Sequence, residues 1–101
     1  MAVITQLPDG RLIASQQSAG PTSYTTGGFS VSFPELRSVE QILFIGNNGG
    51  YLTEVASISG NSVTVKVYYF DYDAAADGTA IEVPAATNLS TITFTVIAIG
   101  Y

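Results

Sequence analysis

The chain contains no cysteine, no histidine and no tryptophan in its 101 residues. Without cysteine there are no disulfides, thiol nucleophiles or thiolate metal centres. Without histidine there are no imidazole ligands and no Ser-His or Cys-His pair. Charge is scarce too: 11% of the residues are charged, against about 25% in an average soluble domain. Three are basic (Arg11, Arg37 and Lys66), and they are too scattered to track a phosphate backbone. No nucleic-acid partner is expected. Eight acids bring the net charge to -5. Only carboxylates, Lys66 and tyrosines remain as acid–base groups, and the chain reads as no enzyme.

A long apolar run is also missing. Mean hydropathy is high at +0.34, and residues 83–101 carry no charge, yet Pro, Asn, Ser and Thr fill the first half of that tract. A spanning helix needs about 20 predominantly apolar residues, so no membrane partner is expected. The opening MAVITQLPDG lacks both a basic stretch and an apolar core, and no signal peptide is read. Asn88-Leu89-Ser90 spells a glycosylation sequon, which without a signal peptide reads as chance.

What is present is strand chemistry. Ser and Thr supply 21 residues, and Val, Ile, Thr and aromatics together supply 40, the types that suit a pleated surface. In GFSVSF (28–33), Phe29, Val31 and Phe33 alternate with serines, giving a half-buried strand. In QILFI (41–45) the apolar residues are continuous, which predicts a strand covered on both faces. VTVKVYYFDY (63–72) sets Val63, Val65, Val67 and Tyr69 opposite Thr64, Lys66, Tyr68, Phe70 and Tyr72. ITFTVIAI (92–99) sets Ile92, Phe94, Val96 and Ala98 opposite Thr93, Thr95, Ile97 and Ile99.

The punctuation between these runs is that of hairpins. LPDGR (7–11) and SGNS (59–62) predict tight turns, and GNNGG (46–50) a loop. QQSAGPTSYTTG (16–27) has the least pattern and reads as a surface loop. The pattern is that of an antiparallel sandwich or small barrel, and the expected fold is all-β: a single antiparallel β-sandwich of six to eight short strands over 1–101, of the immunoglobulin-like kind. Residues 1–27 form an N-terminal hairpin and loop that would serve as an arm contacting a neighbour.

Two constellations invite a functional reading. In DYDAAADGTAIE (71–82), Asp71, Asp73, Asp77 and Glu82 occupy positions 1, 3, 7 and 12 of a calcium-loop register. Ala75 offers no ligand, however, and Ala76 stands where the sharp turn requires Gly. A solvated loop, with Asp73 capping one Ala-rich helical turn that stops at Gly78, explains the segment, and no metal or other cofactor is expected. As a glycosidase pair the same acids define no cleft. The second constellation is the stripe Tyr68, Phe70 and Tyr72, which shares one strand face and forms a candidate interface. With so few charges, much of the surface must be Ser, Thr, Asn, Gly or apolar, and a homo-oligomer is expected.

Over 28–101 the order of motifs resembles a known family. FSVSFPELRSVEQILFI resembles the strand, Phe-Pro, connection and second strand that open the six-stranded domains of H-type lectins, which are similar to domains ending bacteriophage tail fibres. ISGNSVTVKVYYF resembles their central hairpin. ITFTVIAIGY resembles the closing strand, whose IAIG ending recurs in phage fibre and head proteins. The resemblance implies a sandwich, commonly trimeric, used for adhesion or assembly. Its sugar-binding form typically uses Trp, Arg or His. Trp and His are absent and Arg37 falls in a connection, so no lectin residue carries over. A short chain without a shaft then reads as a phage virion structural protein of the head, a capsid decoration or cement protein. It would be assembled in the host cytoplasm, with the major capsid protein as partner and a trimer as its own form. The alternative is an adhesion module at a tail or fibre tip that binds a host surface glycan, with GNNGG and DYDAAADGT as the contact rim.

Overall fold

Alternation across the pleat is realised as strand in the predicted segments as far as the described residues reach. A computed structural model describes residues 2–70 and 80–101. Its strands are β1 (Ala2–Gln6), β2 (Leu12–Ala19), β3 (Phe29–Ser32), β4 (Val39–Asn47), β5 (Leu52–Ser59), β6 (Ser62–Phe70), β7 (Ala80–Glu82) and β8 (Thr93–Gly100). They form two antiparallel four-stranded sheets, an all-β arrangement consistent with a small β-sandwich. One sheet runs β1-β2-β8-β4. In the other, β6 pairs with β5 along one side, and with β3 and then β7 along the other.

Both predicted tight turns are present. Leu7 N–H donates to Arg11 C=O at 2.7 Å and Gly10 N–H to Leu7 C=O at 3.0 Å, closing the β1–β2 hairpin. Gly60 and Asn61 alone join β5 to β6 between the paired Ser59 and Ser62. Gly60 has φ +58°, and glycine at the first central position is what a type II′ hairpin turn demands.

The alternating faces meet as layers. Val31, Val63 and Val65 from one sheet, with Phe33 just beyond β3, pack against Ala14, Val96 and Ala98 from the other, and Leu36 and Val39 close one end. Tyr24, Val67, Val83, Leu89 and Phe94 form a second cluster. Phe29 packs against both clusters and meets Phe94 edge-on, with ring centroids 5.0 Å apart. Phe33 and Phe94 are fully buried, and each such side chain contributes about 1.5–3 kcal/mol relative to exposure.

Two expectations are corrected. Residues 16–19 are not loop: β2 continues to Ala19, with Gln16↔Val96 through Ala19↔Thr93 in register. The ladder offered by β8 satisfies this backbone, so a segment without apolar pattern still forms strand. Nor is QILFI covered on both faces. β4 is an edge strand, and its register shifts between Ile42 and Phe44. Leu43 is the extra residue of that bulge, and Leu43 and Phe44 are 49% and 52% exposed.

Candidate functional site

The predicted interface stripe is described only at Tyr68, which is half-buried on the outward face of β6. Its hydroxyl donates to Glu54 Oε1 at 2.8 Å, and Lys66 Nζ lies 5.6 Å from its ring centroid. The Tyr68 hydroxyl, followed by the carboxylates of Glu82 and Glu54, holds the Lys66 ammonium above its ordinary pKa. Register explains the grouping: Glu54 pairs with Lys66 and Leu52 with Tyr68 across β5–β6. The side chain of Phe70, and Tyr72 altogether, lie outside the described residues.

Asp71, Asp73 and Asp77 of the calcium register, with the Ala-rich turn between them, also lie outside the described residues. Glu82 is described, and its carboxylate is engaged. Oε2 accepts from the Tyr24 hydroxyl at 2.7 Å and from Gly27 N–H at 2.8 Å. Those donors, the Gly27 amide first, hold Glu82 below the usual carboxylate range. Tyr24 Oη in turn accepts from Val67 N–H at 3.1 Å. Burial, aided by the neighbouring carboxylate, pushes the Tyr24 phenol up to about 12. This relay ties the 20–28 segment to β6 and β7. No local pattern along the chain signals it, because its partners stand 43 to 58 positions apart.

An exposed apolar row lies along β5. Val55 pairs with Val65 and Ile58 with Val63, so both belong to the core-facing side of their sheet. Val63 and Val65 are buried, yet Val55 is 37% and Ile58 39% exposed. In the facing sheet, Ile42 and Ile45 of β4 turn to the core opposite Ala98 and Val96 and are only half-covered. The two sheets therefore leave apolar, core-side surface open along the flank formed by β4 and β5. Strand alternation alone cannot reveal this, because it marks the core face of a strand without saying whether a neighbour covers it.

A cleft of about 520 Å³ opens on the other face of the β2-β8-β4 sheet, lined by Gln17, Phe44, Gly46, Asn47, Asn48, Thr93 and Thr95. Gln17, Thr95 and Gly46 sit abreast on three adjacent strands. Asn47 Oδ1 accepts from Gly49 N–H at 2.9 Å and Tyr51 N–H at 3.1 Å, and its Nδ2 donates to Tyr51 C=O at 2.8 Å. Asn48 Oδ1 accepts from Thr93 N–H at 3.0 Å. The GNNGG loop is thus pinned to the first residue of β8.

Comparison with protein-family models, curated proteins and solved structures finds no match for this chain.

Proposed function

We propose that the protein is a structural subunit that self-associates and docks on a larger protein shell. In the reading given by the motif resemblance, it is a decoration or cement protein of a phage head. The observation that carries the proposal is the half-open flank, where the core-side residues Val55 and Ile58 stay more than a third exposed. A second copy laid against that flank would remove its apolar surface from water, the dominant favourable term in association. Only eleven residues of the chain are charged, so few charges would lose their hydration in such a contact. A symmetric oligomer, a trimer in the family's habit, seated on the major capsid protein would stabilise the assembled shell by mass action. The edge strand β1 adds a second surface for the same task, since its outer side offers unpaired backbone groups to a neighbour.

Light scattering of the purified protein at micromolar concentration should give the mass of an oligomer. Gel analysis of purified particles should find the protein in them, and antibody labelling should place it over the head. A sharp monomer mass, or absence from particles, removes the reading. A second reading, an adhesion module for a host glycan, is favoured by the uncharged cleft beside Phe44. Labelling at the tail rather than the head would decide for it.

A further inference from the structure

The cleft on the outer face of the β2-β8-β4 sheet has a chemistry of its own. None of the seven residues lining it is charged. One is an aromatic ring with half its surface in solvent: Phe44 is 52% exposed. The ring is seated over Gly46, where a Cβ would come within 2.6 Å of its far carbon. Glycine at 46 therefore lets the ring lie across the strand beside the polar groups of β2 and β8. Around it stand the Gln17 amide and the Thr93 and Thr95 hydroxyls, which no described residue engages, and the Asn48 amide, fixed through its oxygen to Thr93 N–H. Amides and hydroxyls offer donors and acceptors together. They are mounted on paired strands and a pinned loop, so little ordering is required on binding.

From this geometry we infer a binding site for a neutral carbohydrate, with a hexopyranose ring lying against Phe44 and its hydroxyls meeting Gln17, Asn48, Thr93 and Thr95. The weakly positive C–H face of a pyranose complements the electron-rich face of an aromatic ring. A cation or anion would find no opposite charge among the described residues of the lining. The cleft is shallow and open, and its volume of about 520 Å³ suits a sugar ring laid flat on the surface rather than enclosed. The site rests on the adhesion reading and deepens it by naming a neutral hexopyranose as the ligand; it keeps GNNGG of the loop rim through Gly46, Asn47 and Asn48 and adds the sheet face. It is independent of the assembly reading, because the open flank uses Ile42, Ile45, Val55 and Ile58 and the cleft uses none of them.

A glycan array of neutral oligosaccharides, followed by amide-shift titration of the whole protein with the best binder, tests the assignment. The expected result is saturable binding that is unaffected by salt, with shifts centred on Gln17, Phe44, Asn48, Thr93 and Thr95. Phe44→Ala, at an exposed position, should weaken binding at least about tenfold with an unchanged amide spectrum elsewhere, and Phe44→Tyr should retain it. No binder on the array overturns the site, as does equal affinity in Phe44→Ala. So do shifts at Phe44 that follow protein concentration rather than sugar, since those mean that a second copy covers the ring. Masses recorded on the same samples keep the two readings apart: a monomer that binds sugar removes the assembly reading and supports this one.

Discussion

The most consequential single side chain is Tyr24, which accepts from Val67 N–H and donates to Glu82. Tyr24→Phe keeps the ring and removes both bonds, leaving a buried backbone donor unpaired. Denaturant titration should register a loss of about 1–3 kcal/mol. The same relay sets two pH limits. Glu82 is held below its ordinary value, so its contribution is present above the unfolded carboxylate range and is lost as pH falls through the lowered value. Tyr24 is raised from 10 to about 12, so its contribution is full below pH 10 and is lost as pH rises through about 12. Melting temperature against pH should therefore fall at both ends. Glu82→Gln should flatten the acid limb, and a wild-type acid limb that survives in Glu82→Gln would refute this account. The exposed Asp9–Arg11 pair at 2.8 Å calls for no comparable effect, because solvent screens it.

Among the elements, β8 organises the fold: it pairs with β2 on one side and β4 on the other, and its Phe94, Val96 and Ala98 are fully buried. Its last residue, Gly100, lies so close to the 38–39 backbone that a Cβ would approach Ser38 O to 2.0 Å. Tyr101 N–H donates to Ser38 C=O just beyond, at 3.0 Å. A rigid backbone cannot yield as a side chain can. Gly100→Ala should cost about 1–3 kcal/mol, the usual range for overpacking, with a lowered thermal midpoint. A midpoint equal to wild type would show that strands β4 and β8 separate there without cost. Strand-level features were the most legible in the sequence: GFSVSF, VTVKV and ITFTVIAI each took the predicted face, and PDG and GN turned where expected. QILFI and residues 16–19 were misread because pairing partners and edge position, not local pattern, decide whether such segments are covered or even strand.

For the molecule as a whole, the decisive property is the open flank against a background of little charge. Val55→Lys and Ile58→Glu place charge on that flank at positions already more than a third exposed. Each should shift the mass in light scattering toward the monomer while leaving the far-ultraviolet spectrum unchanged. Association driven by apolar contact should also change little between low and physiological salt, since screening acts on charges. An oligomer that persists in both variants would move the interface elsewhere, with the outer edge of β1 the next surface to test.

Sequence by itself determined the class of the fold, because a two-residue period and turn chemistry are local properties of the chain. It also determined what chemistry is excluded, since absent residues are absent at any geometry. The tertiary structure alone decided which strands are edges, that Leu43 and Phe44 face outward, that Val55 and Ile58 stay uncovered, and that Gln17, Asn48 and Thr95 stand around one aromatic ring. Those outcomes depend on cross-strand register and on what the opposite sheet fails to cover, and neither is written in the neighbours of any one residue.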